Sequence, residues 1–250
     1  MRALQFLPLH QRFQLMQALL DDEITAVRME VAMSLAGVPL DQVTPEQAAR
    51  LRAVFDEYLS IQQQHADMPA TQLQLGVFHV TRGDMPAAEA AYREALQLNP
   101  QLIPAYLNLA DLLRTQSRDE AARELLLQAL QVAPDNGATL HALGLLETRS
   151  EEPQKALDYL RRAAELETTG TRHRFVYAIA LHDLGQPQQA IVQLQALLRR
   201  VPRNEEVLLA LANYSMELGR RDKALSYART LTEIAPRNRA YQQLYQQLSQ

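Results

Sequence analysis

The sequence predicts an all-α chain of helical hairpins stacked one on the next, and three observations predict it. The 250 residues are 47% apolar yet include only 8 Gly and 12 Pro and no Trp. Ala, Leu, Gln, Glu and Arg, which lose little freedom in a helix, outweigh the residues that favour strands. Second, alanine recurs every 34 residues, at Ala88, Ala122, Ala156, Ala190 and Ala224, and Pro100, Pro134, Pro202 and Pro236 keep the same period with Thr168 in the remaining place. Third, turn formers divide each period in two: Arg82-Gly83-Asp84, Ser117-Arg118-Asp119, Ser150-Glu151-Glu152-Pro153, Leu184-Gly185-Gln186-Pro187 and Leu218-Gly219-Arg220. A period of this length marks units that bury their apolar faces on their neighbours.

The elements follow in chain order. Residues 11–20 and 24–36 carry apolar residues at spacings of three and four and are joined by Asp21-Asp22-Glu23, which predicts a first helical pair. After the break at 37–43, Thr44-Pro45-Glu46-Gln47 supplies an N-cap, a first-turn proline and the glutamine of a capping box, so a helix is expected from there to about His65. It serves as an adaptor between the first pair and the periodic region. Placing each proline at position 32 gives five units, 69–102, 103–136, 137–170, 171–204 and 205–238, and a last short helix over 239–250. In each unit position 7 is bulky (Leu75, Leu109, Leu143, Tyr177, Leu211) and position 8 is small (Gly76, Ala110, Gly144, Ala178, Ala212), as two helices in close contact require.

This column pattern, with Ala at 20, a small residue or Leu at 27 and Pro at 32, resembles the tetratricopeptide repeat over residues 69–238. The resemblance implies a right-handed αα superhelix whose first helices line a concave groove. Gln72 and Arg174 depart from it, standing at position 4 where a bulky residue is usual, and the third unit ends in Glu167-Thr168 without proline. Residues 1–43, through Leu19-Leu20-Asp21-Asp22, Val27-Arg28, Val31-Ala32 and Ser34-Leu35-Ala36, resemble one HEAT repeat, a family in which residues such as Asp22 and Arg28 tie neighbouring units together. A HEAT-like unit running into tetratricopeptide repeats is similar to the C-terminal region of bacterial multihaem cytochrome c proteins. That resemblance implies a redox part on a segment outside these residues, and a lone HEAT-like unit with no earlier copy leads us to expect a truncated solenoid.

No chemistry of its own is expected of the chain. Cysteine is absent, which excludes disulfides, thiolate metal sites, a cysteine nucleophile and haem attachment within these residues. The histidines (His10, His65, His79, His141, His173, His182) show no i, i+4 pair, and there is neither a nucleophile elbow nor a phosphate-binding glycine loop. No cofactor, no metal and no enzymatic activity are therefore expected. A net charge of −4 gives no pull toward nucleic acid or anionic membrane. The nine basic residues between Arg199 and Arg239 come without an aromatic platform and read as helix ends and turns. No run approaches the roughly 18–20 apolar residues of a membrane span. The start at Met1 lacks a signal-peptide pattern, so a cytoplasmic location is expected if Met1 is the true start and a periplasmic one if the chain belongs to a multihaem cytochrome.

Function is expected in the groove, as a scaffold for a protein or peptide partner. The resemblance places Leu73, Leu107, His141, Phe175 and Leu209 there at position 5, Val77, Asp111, Leu145, Ile179 and Asn213 at position 9, and Val80, Arg114, Thr148, His182 and Met216 at position 12. Asn108 adds an amide able to bond a peptide backbone. The surface is mostly apolar and lacks the Lys and Asn of a carboxylate clamp, so an amphipathic helix or extended apolar segment suits it. The competing occupants are the chain's own N-terminal helices and a second copy in a homodimer.

Overall fold

A computed structural model describes residues 6–149, 152–166 and 171–250, so Thr168 of the proline column, Glu167 and the Ser150-Glu151 half of one turn lie outside the described residues. Among the described residues all regular structure is helical. The chain packs as two compact units, Met1–Leu125 and Leu126–Gln250.

The first unit opens with α1 (Leu9–Met16), a 3₁₀ turn (Gln17–Asp21), α2 (Thr25–Leu35) and α3 (Pro45–Gln63). The first helix thus begins two residues before the expected position 11 and tightens into a 3₁₀ turn after Met16. The tighter turn aims the Gln17 carbonyl at the Arg50 guanidinium, which donates to it at 3.0 Å and pairs with Asp21. Helix α3 starts at the expected capping box: Thr44 accepts from the Gln47 amide and the Gln47 side chain accepts from the Thr44 amide. Then come α4 (Pro69–Arg82), α5 (Met85–Leu98) and α6 (Ile103–Thr115), and α7 (Asp119–Val132) crosses the boundary between units.

A core of Phe13, Met16, Leu20, Val31, Leu35, Val54, Phe55, Tyr58 and Phe78 joins the N-terminal helices to α4. Phe78 is the keystone, stacked on Tyr58 at 4.8 Å and edge-on to Phe55 at 5.7 Å. Arg82, in the last turn of α4, donates to the Ala36 and Val38 carbonyls beyond α2 and lies over the Phe55 ring at 4.8 Å. One side chain thus satisfies carbonyls beyond a helix end and adds a cation–π contact.

The second unit continues with α8 (Gly137–Glu147), α9 (Pro153–Glu165), α10 (Thr171–Asp183), α11 (Pro187–Arg200), α12 (Glu205–Glu217), α13 (Arg221–Ile234) and α14 (Arg239–Ser249). Its core includes Leu160, Leu181, Leu194, Leu197 and Leu211, and Leu248 of α14 packs on Ala224 and Ala228 of α13. Arg221 donates to the Leu248 and Gln247 carbonyls, so this arginine of the basic stretch caps a helix end.

The repeat columns have physical causes. A Cβ on Gly76 would lie 2.2 Å from the Tyr92 ring and one on Gly144 would lie 2.5 Å from Leu160, so the small residue of the first helix seats the bulky residue of the second. Gly83, Gly185 and Gly219 take φ of 82°, 74° and 68° in the hairpin turns, a conformation costly to other residues. The polar residues at position 4 turn out to be clamps. Gln72 donates to the Ala66 carbonyl at 2.8 Å, Tyr106 to Pro100 at 3.1 Å and Gln242 to Pro236 at 2.6 Å, each reaching six residues back into the preceding turn. Arg174 reaches farther, ten residues back, to the Ala164 carbonyl in the last turn of α9.

Ser215 is 1% exposed on α12 and its hydroxyl has no hydrogen-bond partner. Ser215→Ala removes that unsatisfied group, and a gain of about 1 kcal/mol is expected in urea denaturation.

Candidate partner-binding face

The candidate residues all lie on the first helices of hairpins. In the first unit Leu73 and Val77 are on α4, and Leu107, Asn108, Asp111 and Arg114 are on α6. None is fully buried; Val77 and Asp111 are exposed. Val77, Asn108 and Asp111 come together with Val80, Tyr92 and Leu112 around a recess of about 330 Å³ between α4, α5 and α6. Burial raises the Tyr92 phenol, and a hydrogen bond with Asn108 partly offsets it. Arg114 pairs with Asp111 at 2.6 Å one turn along the same helix. Leu73 and Leu107 are half-buried and do not line this recess.

In the second unit His141 and Leu145 are on α8, Phe175, Ile179 and His182 on α10, and Leu209, Asn213 and Met216 on α12. Leu145 and Ile179 line a recess of about 260 Å³ between α8, α9 and α10. Phe175 lines a different one, of about 410 Å³, with Asn204 and Val207, and also packs against the core. Asn213 and Met216 are exposed and Leu209 is half-buried.

The two histidines of this face have opposite surroundings. The rings of His141 and His173 meet edge to face at 4.6 Å, and both Nδ1 atoms are buried without a hydrogen-bond partner. Burial first, then the neighbouring His173 and Arg172, push His141 down to about 4, and burial and Arg172 lower His173. His182 instead stacks flat on Tyr214 at 3.7 Å, with Nε2 2.5 Å from Glu217 and Nδ1 3.3 Å from Asp183. Burial lowers it, but the hydrogen bonds to the two carboxylates outweigh that and leave it raised. His173, Tyr214 and Glu217 were not among the expected site residues. Their signal is a spacing close to one period, 32 to 35 residues from the groove histidine each one touches.

Hairpins that recur every 34 residues and present partly apolar first helices define an αα-repeat protein of the solenoid class. More narrowly, the chain belongs to the tetratricopeptide repeat family, whose models match residues 67–135, 101–168 and 181–248, more than half of its length. It is 23% identical over 149 residues to anaphase-promoting complex subunit 3 of Schizosaccharomyces pombe, covering 60% of this chain and 22% of that protein. It is 31% identical over 119 residues to the human protein O-mannosyl-transferase TMTC3, covering 42% of this chain and 13% of that protein. The chain therefore spans less than a quarter of the length of these curated relatives. Among solved structures it is similar to YrrB, described as a TPR protein with an unusual peptide-binding site, with a TM-score of 0.57, 21% identity, and coverage of 75% of this chain and 97% of that one. Tetratricopeptide repeats typically mediate protein–protein interaction, on a scaffold that is generally not enzymatic. Among the described residues no helix is long and apolar enough to cross a membrane.

Proposed function

We propose that the chain is a non-enzymatic scaffold that holds a peptide or helical segment of a protein partner in an apolar groove lined by its first helices. The observation that carries this is the exposure of large apolar side chains at groove positions: Val77 at 37%, Leu145 at 41% and Met216 at 45%. Neither unit buries them internally, and exposed apolar clusters mark interaction surfaces. The peptide-binding site ascribed to YrrB supports the reading by analogy of fold.

The test uses these three exposed groove positions. Phe175→Asp and Leu107→Asp are poor choices because both side chains are half-buried and Phe175 packs on the core, so lost binding could reflect lost structure. Val77→Asp, Leu145→Asp and Met216→Asp are each expected to keep the wild-type melting temperature and weaken partner binding about tenfold in titration calorimetry. Unchanged binding would sink the proposal. A wild-type dimer in sedimentation that the same variants dissociate would assign the face to a second copy instead.

The division into a HEAT-like pair (1–43), an adaptor helix (44–68), five repeats (69–238) and a C-terminal capping helix (239–250) is part of this reading. Arg28 supports the HEAT-like pair, donating to the Asp22 carbonyl and closing a two-pronged ion pair on Glu57 of α3. A second reading makes the chain an accessory region of a larger multihaem redox protein. Cys-x-x-Cys-His motifs in the same reading frame upstream would favour it, and their absence there would remove it.

A further inference from the structure

The recess between α4, α5 and α6 and the recess between α8, α9 and α10 occupy equivalent places in the repeat. Val77 corresponds to Leu145, Tyr92 to Leu160, Asn108 to Val176 and Asp111 to Ile179, each pair two periods apart. Helical hairpins of this family thus leave the same hollow in both units, and the lining differs. In the first unit Tyr92, Asn108 and Asp111 put a phenol, an amide and a carboxylate into it. In the second unit the same places are aliphatic.

Resting on the groove-binding reading above, we propose that the α8–α9–α10 recess is an anchor subsite. It takes one large apolar side chain, leucine, methionine or phenylalanine, of a partner segment that carries lysine or arginine within the next few residues. Its size fits: at about 260 Å³ it falls below the roughly 300–1,000 Å³ of sites for small-molecule ligands, and it is open to insertion of a side chain. Its walls fit as well, because Leu145 remains 41% exposed beside Val176 and Ile179 and gains from being covered. The charge requirement comes from Asp183, the one charged residue among the described residues that line the recess. Its carboxylate is 68% exposed and lies 3.3 Å from His182 Nδ1, so a partner cation can reach it. An acidic neighbour of the anchor would face that carboxylate and be rejected.

The experiment is selection of a phage-displayed random peptide library on the intact chain, followed by synthesis and titration of the enriched peptides. Wild type is expected to enrich Leu, Met or Phe followed within a few residues by Lys or Arg. Thr148→Trp, which fills the recess from an exposed lining position, is expected to weaken those peptides at least tenfold. Thr148→Phe repeats the test if the larger ring lowers the melting temperature. Asp183→Lys is expected to turn the preference beside the anchor toward Asp or Glu. Enriched peptides that bind all three variants as they bind wild type, yet lose affinity in Met216→Asp, would overturn the subsite and leave the scaffold standing. Failure to enrich any peptide sequence would overturn both.

Discussion

Phe78→Ala is expected to lower the stability of the chain by about 4 kcal/mol, the cost of emptying a well-packed aromatic site. Phe78 is 2% exposed and fills the seam where α3 meets α4. Removing its ring takes away the stacked face of Tyr58 and the edge contact of Phe55 together. The Tyr58 hydroxyl, already buried without a hydrogen-bond partner and with its phenol pushed up to about 12 by burial, would border the new cavity. Phe78→Leu keeps most of the volume and is expected to cost less than half as much. Guanidinium denaturation followed by circular dichroism measures both. Hydrogen exchange adds a local readout: amides of α1, α2 and α3 should lose protection before those of α5. A uniform loss across the first unit would mean that the aromatic seam is not what holds the N-terminal helices in place.

The parts of the fold that could be read from the sequence are those in which one residue's identity is forced by another in the same repeat. Gly76 and Gly144 are small because Tyr92 and Leu160 occupy the space a Cβ would need, and that interlock recurs, so the column is visible in any copy. The position-4 residues were harder. Gln72 and Arg174 look like departures when judged by bulk, yet Gln72 satisfies a backbone carbonyl in the preceding turn and Arg174 one at the end of α9, and hydrogen-bond direction is not encoded in hydrophobic periodicity. The first helix was misplaced for a related reason: a single copy offers no column, and nothing in the apolar spacing of residues 11–20 distinguishes a helix from a helix that tightens after Met16. At the candidate face, that the residues fall on the first helices of hairpins was legible from their place in the repeat. The pairings across helices, His141 on His173 and His182 on Tyr214, depend on how far successive first helices slide past one another, which packing decides.

His141 carries the largest acid effect expected of the chain. Its folded value of about 4 lies below the ordinary 6.5, so between these values the unfolded chain binds a proton that the folded chain does not. Stability therefore falls as pH drops from about 6.5 to about 4, and the loss is complete below that. Each pH unit of that interval corresponds to about 1.4 kcal/mol for a fully sequestered group. The ring is partly open to solvent, which screens the interaction, so about 2 kcal/mol is the expected size. His173 acts in the same direction. His182 acts in the opposite one: its value is raised, so its contribution is present below the ordinary value and is lost as pH rises through the folded one. Glu57 and Glu89, lowered by hydrogen bonds to Arg28 and Arg118, lose their contribution below about 4.5 in any variant that keeps them. The comparison that isolates the histidine pair is His141→Leu against wild type, with urea denaturation at pH 7 and pH 4. The variant should lose about 2 kcal/mol less than wild type over that interval, and NMR titration of the His141 ring in the wild type should give a value near 4. Equal acid losses in the two proteins would mean that the edge-to-face pair is solvated well enough to accept a proton without cost.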